Sequence, residues 1–184
     1  MKPTEQLKEE HAGIKVMLDI LGKVCDRLET GEPADPDHLD RILEFLKVFV
    51  DKCHHAKEED LLFPEMERVG IPREGGPIGV MLSEHRLGRE NVRGMGEAAE
   101  RYKGGDRAAS ALFVRNARGY IELLRQHIDK EDNILYPMAD ARIPEKRQRE
   151  LLGEFEKVEE ERVGHGKHEE FHRTMDRLKA VYLD

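Results

Sequence analysis

An internal repeat limits what this chain can become. HHAKEEDLLFP, from His54 to Pro64, has a near-copy in HIDKEDNILYP, from His127 to Pro137. Superposed, the two match His54 with His127, Lys57 with Lys130, Glu58 with Glu131, Leu62 with Leu135 and Pro64 with Pro137. A second repeated pair lies upstream of each copy. LKEEHAGIKVML (Leu7 to Leu18) lies over MLSEHRLGRENV (Met81 to Val92), with Glu10 over Glu84 and His11 over His85. Each of the first two copies holds a His and a Glu four residues apart, His54 with Glu58 and His127 with Glu131. On a helix that spacing puts both side chains on one face, one turn apart. An imidazole and a carboxylate on neighbouring turns can grip the same hard or borderline cation. Four such segments in two copies predict four helices around a metal pair.

The composition suits long helices. Charged residues make up 38% of the 184 and aromatic residues 5%, with no Trp, which fits charge-decorated helices better than a β fold. The length suits one domain with a real core. A net charge of −8 argues against nucleic acid and anionic membrane surfaces as partners. No run of about 18 apolar residues is present. The opening MKPTEQLKEE lacks the apolar stretch of a signal peptide, so the expected location is the cytoplasm. A disulfide between Cys25 and Cys53 is not expected there. If His11 and His54 are level on antiparallel helices, the two thiols lie roughly 20 Å apart along the bundle.

Taken in order, the chain alternates helical stripes with Gly/Pro breaks. The first helix is expected from about Thr4, as N-cap, to Thr30, where Gly31 and Pro33 stop it. Its stripe is Leu7, His11, Ile14, Leu18, Leu21, Cys25 and Leu28, a heptad seam with His11 inside it. The second runs from about Asp37 to Val69, with Leu43, Leu46, Val50, His54, Glu58 and Leu61 inward. Pro64 should kink it, because its ring cannot donate to the helical ladder. His11 lies about nineteen residues before the intervening turn and His54 about eighteen after it. GIPREGGPIG, from Gly70 to Gly79, separates the two repeats. The third helix spans about Ile78 to Lys103, with Met81, His85, Gly88, Val92 and Met95 in its seam. The fourth spans about Asp106 to Ala139, with Phe113, Ala117, Tyr120, Leu124, His127, Glu131 and Ile134 inward. The pattern predicts an all-α, up-down-up-down four-helix bundle over residues 1–140. Residues 141–184 form a helical extension packed on it, one segment opening at Pro144 and another running from Lys167 to Leu183.

Each His alone is weak evidence, since a His on an apolar stripe is usually a hydrogen-bonded core residue. Four at matching levels, two with a Glu one turn on, are different. A buried carboxylate costs several kcal/mol unless it is paired or bound to metal. Imidazole and carboxylate without thiolate suit iron or manganese and tolerate zinc. Two bridging Glu and four His supply about eight of roughly twelve octahedral positions around two ions, and an oxo or hydroxo bridge supplies about two more. About two positions stay open, as at a reactive site.

The pattern His11, His54-x3-Glu58, His85, His127-x3-Glu131 resembles the hemerythrin-like HHE cation-binding domain family, over about Thr4 to Ala139. The resemblance implies a non-haem diiron centre with ligands at His11, His54, Glu58, His85, His127 and Glu131, both Glu bridging. It implies two iron ions, for which manganese or zinc can substitute. Family roles include oxygen binding, oxygen or iron sensing, and protection or repair under nitrosative stress. The expected function of this chain is binding or sensing of a small redox ligand (oxygen, nitric oxide or peroxide), the alternatives being reduction of peroxide or nitric oxide, iron-centre repair, and iron storage or delivery. Whether this chain turns over a substrate stays open. Oxygen-carrying hemerythrins have a second His one turn after the third-helix ligand, where this chain has Arg89, which counts against reversible oxygen carriage.

His55 has Ile128 as its counterpart and is expected on a helix flank. Glu59 and Asp132 repeat, and are expected as solvated acids or as acceptors for ligand imidazoles. HEEFH, from His168 to His172, matches the zinc-peptidase pattern. However, Phe171, Met175, Leu178 and Tyr182 set a stripe that includes His168 and leaves His172 about 100° from Phe171. His168 is therefore expected in a helix interface. There it either hydrogen-bonds locally or reaches the open end of the metal site, as an added ligand or a donor beside it.

Overall fold

A computed structural model describes residues 1–164 and 166–184. Among them are six helices and no strand. They are α1 (Pro3–Glu29), α2 (36–68), α3 (Pro77–Lys103), α4 (109–142), α5 (145–163) and α6 (Lys167–Tyr182). The first four make the up-down-up-down bundle, with α4 packed against both α1 and α3, and α2 against α3. α5 and α6 each lie on α1 and α2.

Local chemistry sets the ends. The N-cap of α1 is Lys2, two residues earlier than expected, because Pro3 at the first position needs no N–H partner and has the right φ. Thr4 is thus not the N-cap. It lies in the first turn, and its hydroxyl donates to Asp140 Oδ1 at 2.7 Å, tying α1 to α4. α2 is capped by Asp35, whose carboxylate accepts from the Asp37 N–H at 2.9 Å. Gly31 and Gly105 close the hairpins at φ +82° and +98°, where a side chain would clash with its own carbonyl.

Pro64 and Pro137 each follow a locally widened stretch of helix. In both copies a five-residue π-helical turn precedes the proline, Glu58–Leu62 in α2 and Glu131–Leu135 in α4. A wider turn carries one extra residue, which relieves the clash between the proline ring and the carbonyl four residues back. Each π turn begins at the repeated Glu. A third and longer π stretch, Phe45–His55, carries His54.

The core is split in two by a polar layer. Above it Ile14, Val50, Val92 and Leu124 belong to one apolar cluster, which α6 completes with Phe171, Leu178 and Tyr182. Below it Leu7, Leu62, Met81 and Leu135 belong to a second, which α5 completes with Leu151 and Phe155. On every bundle helix the layer falls between these flanking residues. The extension therefore contributes to both clusters that flank the layer. Cys25 and Cys53 are buried and unpaired. Among the described residues no helix is long and apolar enough to cross a membrane.

Candidate metal centre

The polar layer brings together His11, His54, Glu58, His85, His127 and Glu131, every one at most 1% exposed. The imidazoles face one another in pairs. His11 Nε2 and His54 Nε2 are 3.0 Å apart, as are His85 Nε2 and His127 Nε2. The carboxylates reach both pairs. Glu131 Oε2 lies 3.2 Å from His11 Nε2 and Oε1 lies 3.0 Å from His127 Nε2. Glu58 Oε2 lies 3.4 Å from His85 Nε2 and 3.8 Å from His54 Nε2.

The outer nitrogen of each imidazole meets an acid from another helix. His54 Nδ1 donates to Glu10 Oε2 at 2.8 Å and His127 Nδ1 to Glu84 Oε2 at 2.8 Å. His11 Nδ1 donates to Asp132 Oδ1 at 2.7 Å and His85 Nδ1 to Glu59 Oε1 at 2.6 Å. The repeat explains all four. The acid before one copy's upstream His serves the His of the HxxxE pair, and the acid after the Glu serves an upstream His across the bundle. Lys57 holds Glu10 at 2.5 Å, and its repeat counterpart Lys130 holds Glu84. Lys57, fully buried, also donates to Glu159 Oε1 at 2.5 Å, so α5 joins the network.

These contacts test whether a metal fits. All four outer acids are held below the ordinary carboxylate range. For Glu10, burial raises the carboxyl, but the His54 imidazole and the Lys57 ammonium outweigh it and hold it at about 2. An ionised acid only accepts, so each Nδ1 carries the proton and each Nε2 presents a lone pair inward. Two lone pairs facing at 3.0 Å need a cation between them. Glu58 Oε2 and both oxygens of Glu131 are buried with no hydrogen-bond partner, which also calls for positive charge. An octahedral ion with ligands at about 2.1 Å has an edge of about 3.0 Å, matching both imidazole pairs. The protein groups alone draw that charge as protons. Burial disfavours the charged imidazoles, yet Asp132 and Glu131 lift His11 to about 9, and Glu131 and Glu84 lift His127 to about 10.

Sequence reasoning missed the aromatic residues beside the layer. Tyr136 donates to Glu58 Oε1 at 2.6 Å and stacks on His11, with ring centroids 5.5 Å apart. Its repeat counterpart Phe63 stacks on His85 at 6.0 Å. The repeat puts an aromatic ring under one upstream His of each half, but only one ring has a hydroxyl. That mismatch was visible in LFP against LYP. Glu10 was visible too, as a repeated residue, but nothing local says which imidazole it meets.

His55 is not on an exposed flank. It is 4% exposed and stacked on His85. Arg89 donates to Asp51 Oδ1 at 2.8 Å and to Glu59 Oε1 at 2.7 Å, so it steadies the acceptor of His85. His168 is half-buried against Phe49, with centroids 5.5 Å apart, and against His172. It lies outside both groups of converging ligand atoms, His11, His54, Glu131 and His55, Glu58, His85, His127.

The model of the hemerythrin HHE cation binding domain matches residues 2–139, which hold the entire layer. The chain belongs to that family. Membership in the hemerythrin HHE family implies iron at such a site, and the His/Glu clusters suit it. An uncharacterized protein of Mycobacterium tuberculosis is 24% identical over 163 residues, covering 87% of this chain and 62% of that one. The iron-sulfur cluster repair protein YtfE of Edwardsiella ictaluri is 31% identical over 128 residues, covering 66% of this chain and 56% of that one. YtfE of Escherichia coli is 31% identical over 124 residues, covering 62% and 52%. This hemerythrin-like chain thus spans between 52% and 62% of the length of these relatives. No solved structure matches it.

Proposed function

We propose that the protein is a non-haem diiron protein that binds or senses a small redox ligand, namely oxygen, nitric oxide or peroxide. One observation carries the reading: two facing imidazole pairs, each at 3.0 Å, spanned by carboxylates whose inward oxygens have no other partner. His11 and His54 would hold one ion, His85 and His127 the other, with Glu58 and Glu131 between. Bound iron would supply the redox and ligand-binding chemistry.

The chain's own residues do the rest. Four outer acids fix the imidazole tautomers and keep the rings aimed inward. The Tyr136 hydroxyl donates to Glu58 Oε1 and leaves Oε2 facing the imidazoles, so the two carboxylates are not equivalent. The apolar clusters above and below exclude bulk water, which strengthens every charge interaction in the layer. The donor count leaves about two of roughly twelve coordination positions for a water or an exogenous ligand.

The YtfE relatives support a second reading, a role in iron-centre repair or in reduction of nitric oxide or peroxide. Anaerobic reduction of the iron-loaded protein, followed by oxygen or nitric oxide under optical monitoring, separates the two. A stable adduct that reverses on removing the gas supports binding or sensing. Continued consumption of the gas with a reductant present supports an enzyme. Rapid stripping of iron by a mild chelator favours storage or delivery.

A further inference from the structure

His55 is the one imidazole of the central region that the metal reading leaves unused. It is 4% exposed, and its Nδ1 has no hydrogen-bond partner. The nearest acid, Asp51, has Oδ1 at 3.5 Å, too far and too poorly aligned to count. A buried imidazole nitrogen without a partner is costly. Its repeat counterpart, Ile128, sits in the apolar cluster, so the imidazole is an addition on one side of the centre only.

One ring nitrogen of His55 lies within 4.8 Å of ligand atoms of Glu58, His85 and His127. That proximity suggests a fifth ligand, but the ring geometry argues against it. The facing pairs have centroids 4.7 Å apart and planes tilted by 55° and 59°. Rings radiating from one octahedral ion splay in this way. His55 instead lies flat against His85, at 3.8 Å and 19°. Two rings stacked face to face cannot both point a lone pair at the same ion.

His55 also lines a cavity. A pocket of about 550 Å³ opens between α2 and α3, with Asp40, Arg93 and Glu97 near its mouth. Its buried wall includes Leu46, His55, Gly88 and Tyr120. Gly88 keeps this wall open: a Cβ there would already touch Tyr120 Cε2 at 3.4 Å, and a larger side chain would fill the space. His55 thus stands between this cavity and His85, with hydrogen-bonding capacity to spare.

Resting on the diiron reading, we infer that the α2–α3 cavity is the entry route for a small exogenous ligand and that His55 is the protein group that hydrogen-bonds that ligand at the centre. The ligand class is a small anion or diatomic molecule that can accept or donate one hydrogen bond. His55 is a positioning residue for the ligand and not a holder of iron.

The test uses azide on the iron-loaded full chain, followed by its optical bands at equilibrium and in stopped flow. His55→Ile copies the residue of the other repeat, and His55→Gln keeps a polar group if the first variant folds poorly. Expected are an unchanged iron content in both variants and azide binding about tenfold weaker in His55→Ile, the loss of one hydrogen bond. Gly88→Leu should slow azide entry and exit together while leaving affinity within a few-fold. Azide affinity and rates equal to wild type in His55→Ile overturn the inference, and so does loss of iron from that variant, which would make His55 a ligand. A wild-type chain that takes up no iron is a distinct failure. It overturns the diiron reading, and the inference with it.

Discussion

Replacing Lys57 by Met tests the network that aims His54. The side chain is fully buried, with Nζ 2.5 Å from both Glu10 Oε1 and Glu159 Oε1. Methionine fills similar space without the charge. Glu159, 30% exposed, can turn to water, whereas Glu10, 6% exposed at its side chain, cannot. Glu10 falls from 4.5 to about 2 in the fold, worth about 3 kcal/mol. Lys57 rises from 10.5 to about 12, worth about 2 kcal/mol. The larger figure includes the help Glu10 receives from His54, so the smaller one is the better measure of the lysine. Removing one partner of a buried pair typically costs about 3–5 kcal/mol. We expect Lys57→Met to destabilise the chelated protein by about 2–3 kcal/mol, lowering Tm by about 4–12 °C for a domain of this size. The sign with pH follows from the two shifts. Glu10 contributes stability above its unfolded value near 4.5 that is lost as pH falls towards about 2, and Lys57 contributes stability below 10.5 that is lost as pH rises through about 12. The gap between wild type and variant is therefore widest at neutral pH and shrinks in acid. Denaturant unfolding at about pH 7 and about pH 3, with Glu10→Gln closing a double-mutant cycle, measures it. A neutral-pH loss under about 0.5 kcal/mol, or a gap that persists in acid, refutes the reasoning.

Further outcomes follow from the same geometry. Glu58→Ala and Glu131→Ala should each lose metal far more severely than Arg89→Ala or Glu59→Ala, because a carboxylate spanning both imidazole pairs affects both ions; equal loss in Arg89→Ala and Glu131→Ala, by elemental analysis, would sink the assignment. Complete chelation should lower Tm and speed amide exchange around the layer, since facing lone pairs and unpartnered carboxylates lose their counter-charge; an unchanged Tm counts against a buried dinuclear site. A chain ending after Val163 loses α6 and the upper cluster's Phe171, Leu178 and Tyr182, so it should be less stable. Because His168 lies against Phe49, outside the converging ligand atoms, the folded truncation should keep its iron spectrum; an altered spectrum would place α6 closer to the centre than its packing allows.

The bundle was legible because its signals are local. Heptad seams, Gly/Pro breaks and the HxxxE spacing each depend on a few neighbouring residues, and the hairpin arithmetic alone brings His11 level with His54. Partners across the bundle were not legible. Glu10 and Lys57 repeat as Glu84 and Lys130, yet that Glu10 serves His54, and not its own neighbour His11, depends on how α1 rotates against α2. The π turns at Glu58 and Glu131 were hidden because an extra residue in a turn leaves no compositional trace. Only the prolines following them marked the spot. His55 was misread because a uniform helical step puts it beside the seam. The long π stretch before it changes that step and turns its ring onto His85. For His168, the stripe gives the buried side of α6 but not the neighbour it meets, which is Phe49.

The most direct measurement is metal content with Mössbauer spectroscopy on protein loaded with iron-57 under anaerobic conditions and then oxidised. Two facing imidazole pairs bridged by Glu58 and Glu131 predict about two iron ions per chain, coupled through a shared bridge, with the charge-transfer bands of an oxo-bridged ferric pair. One zinc ion with no iron, or a single uncoupled iron per chain, would contradict the account.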